Sequence, residues 1–207
     1  TGRVNLHART AGVVEVLADR VNALNAVDPM LTLATVPRWQ RLKAGEMAAT
    51  VKVIAYGVAE CSVRTACSAG AKALHLRPAQ LTRIALVETH IDLGGRKLGV
   101  EAIAHRLADL GAGLANHLHS PHREADLAMT LATITDAELI LILTASATSD
   151  PADVAPGAVR RAGGSIERCG MPVDPGNLLF LGSLNGTLVI GLPGCARSPA
   201  LNGADWV

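Results

Sequence analysis

Hydrophobic and polar positions change their rhythm near residue 80. Before that point the pattern is mixed: "GVVEVLADRVNALNAV" has helical spacing, whereas "LTLATV" and "MAATVKVIAYGV" alternate or run apolar as strands do. A polar turn segment, "PRWQRLKAGE", separates those two strands, and "ECSVRTACSAGAKAL" returns to a helix of small residues ending at His75-Leu76-Arg77-Pro78. From residue 82 the order becomes regular. "RIALVET" predicts a strand, "LGVEAIAHRLADLGA" a helix ended by Gly111, and "GLANHLH" a strand. "PHREADLAMTLATI" predicts a helix with Pro121 in its first turn, and "AELILILTA" a buried strand. A short helix through "APGAVRRAGG", the strand "SIERCGM" and two apolar runs, "NLLFLG" and "TLVIGL", around the turn "SLNGT" complete the series.

Strands alternating with helices predict an α/β fold: a three-layer sandwich around a mostly parallel sheet with a C-terminal hairpin, spanning residues 81–207. Residues 1–80 form a smaller accessory region of mixed α+β character. In open α/β sheets, ligands bind outside the carboxyl ends of the strands. That rule selects Glu88-Thr89-His90, the loop from Ala145 to Asp153, and the loop after Leu192.

Composition narrows the function classes. The 207 residues are 49% hydrophobic, enough to fill a core, and 19 basic against 18 acidic residues give a net charge of +1. No bulk field favours nucleic acid or an anionic membrane, and 2% aromatics leave little for base stacking. Cys61, Cys67, Cys169 and Cys195 are widely spaced, without a C-x-x-C pair, which predicts reduced thiols and a cytoplasmic protein. Cys61, Cys67 and Cys169 are expected to be small buried residues. The longest apolar run, "ELILILTASAT", is too short to span a membrane. The chain opens without Met and stops at "NGADWV", so a fragment of a longer polypeptide is expected.

The loop "TASATSDPADV" carries hydroxyls at Thr144, Ser146, Thr148 and Ser149, and the helix after it supplies backbone N–H groups and a positive dipole end for phosphate. Asp150 and Asp153 can hold a Mg²⁺ bridging phosphate oxygens; a plain strand-to-helix turn, with Ser149 or Asp150 capping before Pro151, uses the same residues. Asp174-Pro175-Gly176-Asn177 is a turn by its chemistry, either structural or offering its backbone N–H groups and the Asn177 amide to a ligand. His117, His119 and His122 lie close in sequence, the first two on one face of a strand, and His105 or a carboxylate would be needed to complete a zinc site. Histidines facing solvent or an anionic ligand are the alternative. Arg160 and Arg161 suit a helix end, and Lys52 either faces a ligand or is a solvated strand residue.

Taken in order, "TASATSDPADV", "GMPVDPGNLLFLG" and "VIGLPGCARSP" resemble the molybdopterin-binding domain of the molybdopterin molybdotransferase and gephyrin family. The resemblance covers residues 82–199. The wording "GMPVDPGN" and "GLPGCARSPALNGADW" is closer still to a bacterial subgroup in which this domain precedes a molybdenum cofactor nucleotidyltransferase. The resemblance implies a site for molybdopterin or its adenylylated form, with Mg²⁺ as an accompanying ion. It implies Asp153 and Glu88 as catalytic and metal-associated carboxylates. It implies cofactor contacts from Ser146, Thr148, Ser149, Asp150, Asp174, Pro175, Gly176, Asn177, Pro193, Gly194, Cys195, Arg197 and Ser198, of which Arg197 and Ser198 are the better anion contacts. A fused or partner nucleotidyltransferase and a homo-oligomer are the implied partners.

Three departures bear on catalysis. Where the transferases have T-G-D-E, this chain has Glu88-Thr89-His90-Ile91, so only Glu88 or Asp92 can replace the aspartate. Ala145-Ser146 stands for a double glycine, and Asn177 for the lysine of the pterin-side turn. Cofactor binding is thereby better supported than molybdate insertion. The alternatives are an active Mg²⁺-dependent molybdotransferase and a nucleotide-pyrophosphate hydrolase of a sister group. Cys195 has no base beside it in sequence to activate it as a nucleophile, so it is expected to line a pocket.

Overall fold

The computed structural model describes residues 2–91 and 99–207. The chain divides into two compact units, Thr1–Ala79 and Gln80–Val207.

The first unit contains β1 (Arg3–His7), β2 (Gly12–Val16), α1 (Ala18–Asn25), β3 (Leu31–Thr35), β4 (Arg41–Leu42), β5 (Met47–Val53), α2 (Glu60–Ala69) and β6 (Leu74–Arg77). Its strands form two three-stranded sheets ordered β1-β5-β3 and β4-β2-β6, with antiparallel neighbours throughout. Val14, Val16, Leu42 and Ala8 make one small core, and Leu33, Ala49 and Ala73 another, with Val21 and Leu74 packed against both.

The structure corrects the sequence expectation here. "GVVEV" is a strand rather than the start of a helix, because its valines suit a half-buried pleated surface and Val14 and Val16 alternate into the core. The helix of small residues stops at Ala69, and Leu74–Arg77 pairs with β2 instead of extending it. Lys52 is exposed on β5. Cys61 and Cys67 are also exposed, since α2 buries only Ala66.

The second unit runs β7 (Arg83–His90), α3 (Val100–Asp109), β8 (Gly113–Pro121), α4 (Glu124–Ala132), β9 (Leu139–Leu143), α5 (Val154–Arg161), β10 (Ser165–Cys169), β11 (Phe180–Leu184) and β12 (Thr187–Leu192). These strands form one six-stranded sheet ordered β10-β11-β12-β9-β7-β8. The four strands β12, β9, β7 and β8 are parallel neighbours, and β11 runs antiparallel to both β10 and β12. The fold is thus the expected α/β sandwich. Its hairpin turns on Asn185-Gly186, both at positive φ, as a two-residue turn between right-twisted strands requires.

Strand β9, "LILIL", is buried at every position because it is covered on both faces. Leu139, Leu141 and Leu143 pack with Ile103 and Leu107 of α3. Ile140 and Ile142 pack on the other face with Leu127 and Leu131 of α4 and Ala158 and Val159 of α5. Gly111, at φ +79°, ends the α3 segment as expected. Pro121 differs from expectation: it closes β8, and α4 begins at Glu124. Cys169 is exposed because β10 is an edge strand.

Strand order positions the site. From the carboxyl end of β7 the chain enters α3 on one face, and from that of the adjacent β9 it enters α5 on the other, so the connections diverge between these two ends. Glu88–His90 and Thr144–Asp153 meet at that divergence. Because β10 runs in the same direction as the four parallel strands, its connection to β11, residues 170–179, lies at the same carboxyl ends, as does the turn after Leu192.

Candidate functional site

Pleating divides the carboxyl edge into two networks. Glu88 shares its face with Leu86 and α3, whereas Thr89 shares the opposite face with Val87, α4 and α5.

On the Thr89 side, the His122 ring joins the end of β7 to the loop after β9. Its Nδ1 lies 2.9 Å from Thr89 Oγ1 and its Nε2 lies 2.8 Å from Ser146 Oγ. The backbone of His122 is fixed by donating its N–H to the His90 carbonyl at 2.7 Å, and Thr89 Oγ1 also accepts the Ala145 N–H at 2.8 Å. Ser146 is therefore held at the end of β9 by a histidine from the loop after β8. Burial holds the His122 pKa below its ordinary value, with the Asp153 carboxylate opposing that shift.

Asp153 turns its carboxylate back over its own loop. Its Oδ2 accepts the backbone N–H groups of Ser149 at 2.6 Å and Asp150 at 2.9 Å. Asp150 Oδ1 accepts the Ala152 N–H at 2.7 Å. The N-cap of α5 is Asp153 rather than Ser149 or Asp150, and the segment holding Pro151 is a turn ahead of the helix. Arg160 reaches back to the Pro151 carbonyl at 2.6 Å, and Arg161 stands 3.6 Å from Glu124.

The loop faces the β10–β11 connection across a cleft of about 280 Å³. Thr148, Ser149, Asp150 and Pro151 line one wall, and Cys169, Gly170, Leu178 and Leu179 line the other. Three of the expected cofactor contacts thus share one cleft. The Asp174–Asn177 turn lies within the same connection but leans on the C-terminal segment: Pro175 accepts the Gly203 N–H at 2.9 Å across a cis Asp174–Pro175 peptide. Gly176, at φ +115°, packs so tightly on Gly203 that a Cβ would overlap its backbone. Asn177 is exposed.

Residues after β12 serve mainly to hold that wall. Gly194–Arg197 forms a 3₁₀ turn whose Cys195 carbonyl accepts the Asn202 amide at 3.1 Å. Arg197 donates to the Thr144 carbonyl at 2.8 Å, which ties this turn to the end of β9. Pro193 is buried, Gly194 and Ser198 are exposed, and Cys195 is half-buried. The residue that organises the segment carries no motif. Arg106 of α3 pairs with Asp205 at 3.0 Å and donates to the carbonyls of Ala196, Ser198 and Ala200 at 2.8, 2.7 and 3.1 Å. Its only sequence signal was an arginine in the middle of an otherwise apolar helix face.

On the opposite face, Glu88 is 2% exposed and both its oxygens are engaged. Oε1 accepts the Gly99 N–H at 2.7 Å and Oε2 lies 2.9 Å from His117 Nε2. Glu88, on the α3 face, and Asp153, at the start of α5 on the opposite side, therefore belong to separate networks. Asp92 lies outside the described residues.

No helix among the described residues is long and apolar enough to cross a membrane. No protein-family model and no curated protein matches the chain. Among solved structures, the chain is similar to the molybdopterin biosynthesis MoeA protein from Pyrococcus horikoshii, at 12% identity over 93% of this chain and 67% of that one, with a TM-score of 0.44. It is also similar to the molybdopterin biosynthesis enzyme MoaB from Thermus thermophilus, at 20% identity over 57% of this chain and 84% of that one, with a TM-score of 0.43.

Proposed function

We propose that residues 80–207 form a binding module for molybdopterin or adenylylated molybdopterin, acting in molybdenum cofactor biosynthesis by presenting that molecule to a nucleotidyltransferase. The observation that carries this reading is the cleft between Thr148–Pro151 and Cys169–Leu179, because it joins two of the three motifs behind the sequence resemblance. Its donor set fits the ligand. Thr148 and Ser149 offer hydroxyls to phosphate, Gly170 and the leucines offer a close backbone and an apolar wall, and His122 stands beside the loop. A volume of about 280 Å³ takes one end of such a molecule and leaves the rest to cross the carboxyl edge.

A Mg²⁺ would sit with Asp153 and Asp150, whose remaining carboxylate oxygens suit an ion that keeps waters and shares phosphate oxygens; it would neutralise phosphate charge. The chain's own contribution is positional: the Asp153–amide bonds shape the loop, and Arg197 anchors the end of β9.

The test is anaerobic titration of the protein with molybdopterin and with its adenylylated form. One-to-one binding that Ser149→Ala together with Thr148→Val weakens at least tenfold is expected, without AMP release on adding Mg²⁺ and molybdate. AMP release lost in Asp153→Ala would replace the module with an active molybdotransferase, and absence of binding would end both readings.

A further inference from the structure

Glu88, His117 and His119 bring one ligand atom each within 4.8 Å of one another. Strand pairing explains the cluster. Glu88 of β7 is in register with His119 of β8, and Leu86 with His117, so all three side chains leave the sheet on the α3 face. The two imidazoles lean together with centroids 4.5 Å apart, tilted by 58°. Glu88 is almost wholly buried, His117 is a quarter exposed, and His119 is open to solvent.

We propose that these three residues form a binding site for a zinc-class divalent transition metal, separate from the cleft of the proposed cofactor module. Two imidazole nitrogens and one carboxylate oxygen suit zinc or cobalt(II), whereas Mg²⁺ prefers an all-oxygen set. The Gly99 N–H at 2.7 Å from Glu88 Oε1 is the outer partner that fixes a ligating carboxylate, leaving Oε2 aimed at the ion. Oε2 and His117 Nε2, now 2.9 Å apart, need open only slightly to the spacing of about 3.3 Å that bonds of about 2.0–2.1 Å impose on a tetrahedral ion. With three protein ligands the fourth position belongs to water, on the exposed His119 side at the sheet edge. An ion pair between Glu88 and His117 uses two of these residues, and the two-residue repeat of β8 brings His119 beside them as a third donor.

The experiment is titration of the full chain, stripped with chelator, with Co²⁺ followed by its visible ligand-field absorption, then displacement by Zn²⁺. Expected are one Co²⁺ per chain with tetrahedral intensity, full displacement by equimolar Zn²⁺, and no displacement by excess Mg²⁺. His119→Ala, at an exposed position that leaves the fold intact, should weaken binding at least tenfold, and Glu88→Gln should do the same. Because Glu88 is buried, its variant is read only if its circular dichroism matches wild type; His119→Ala decides otherwise. Absence of stoichiometric Co²⁺ binding, or equal affinity in wild type and His119→Ala, overturns the site. Failure of molybdopterin to bind leaves this outcome unaffected, since the two ligands occupy different faces.

Discussion

His122 shows how one side chain can couple three segments and carry a pH signature. The sequence marked it only as one of three neighbouring histidines. The structure gives it partners on β7 and on the loop after β9, which no spacing rule reveals because those segments are 33 and 24 residues away. Burial favours its neutral form, so its folded pKa lies below the ordinary imidazole value of 6.5. The unfolded chain then binds the proton first as pH falls. The stability contributed by neutral His122 is complete above pH 6.5 and is lost as pH falls from 6.5 through the lowered folded value. Urea denaturation across that window should show wild type losing more stability than His122→Gln, with the two curves parallel above pH 7. Parallel curves throughout would show that His122 does not drive the slope. Cys195 presents the contrasting case: its motif drew the eye, yet it is the backbone carbonyl of Cys195, not the thiol, that holds Asn202.

Elements were legible where one physical signal dominated. "LILIL" could be placed as a central strand because burial on both faces leaves no polar position. "SLNGT" could be placed as a hairpin turn because Asn-Gly tolerates positive φ twice. Legibility failed for "GVVEV" and "LHLR", whose periodicity is ambiguous and whose strand state depends on pairing with each other across 60 residues of chain. The site divides in the same way. The cleft-lining position of Thr148–Asp150 was legible because the loop follows a strand's carboxyl end; the Arg106–Asp205 clamp was not, since it joins residues 99 apart by charge alone. Their side chains are only 10% and 8% exposed. Arg106→Ala would take the cationic partner from the buried Asp205 carboxylate, which keeps the Asn202 N–H, and would free the Ala196 and Ser198 carbonyls, so a loss of roughly 3 kcal/mol is expected in chemical denaturation. A loss under about 1 kcal/mol would mean that the segment is held by its own turns, chiefly the Asn202 capping of Gly203–Asp205.

At the scale of the molecule, the shift of pattern near residue 80 coincides with a physical division of the core. Every buried residue of the two large clusters lies after residue 80, and every buried residue of the two small ones lies before it. The larger unit covers its sheet on both faces from its own helices, with Phe180, Leu86, Leu127 and Ile142 fully enclosed. A unit with its own closed core folds without its neighbour. Residues 80–207 expressed alone should therefore unfold in one cooperative transition, with near-ultraviolet circular dichroism retained before it. The same fragment should keep the pH slope governed by His122, because Thr89, Ser146 and Asp153 all lie within it. A fragment that keeps its far-ultraviolet signal but lacks a cooperative transition would show that the first unit supplies packing the second needs. Retention of the transition would place the cleft and the Glu88–His117–His119 cluster in a self-sufficient unit, since each of their residues also lies beyond residue 80.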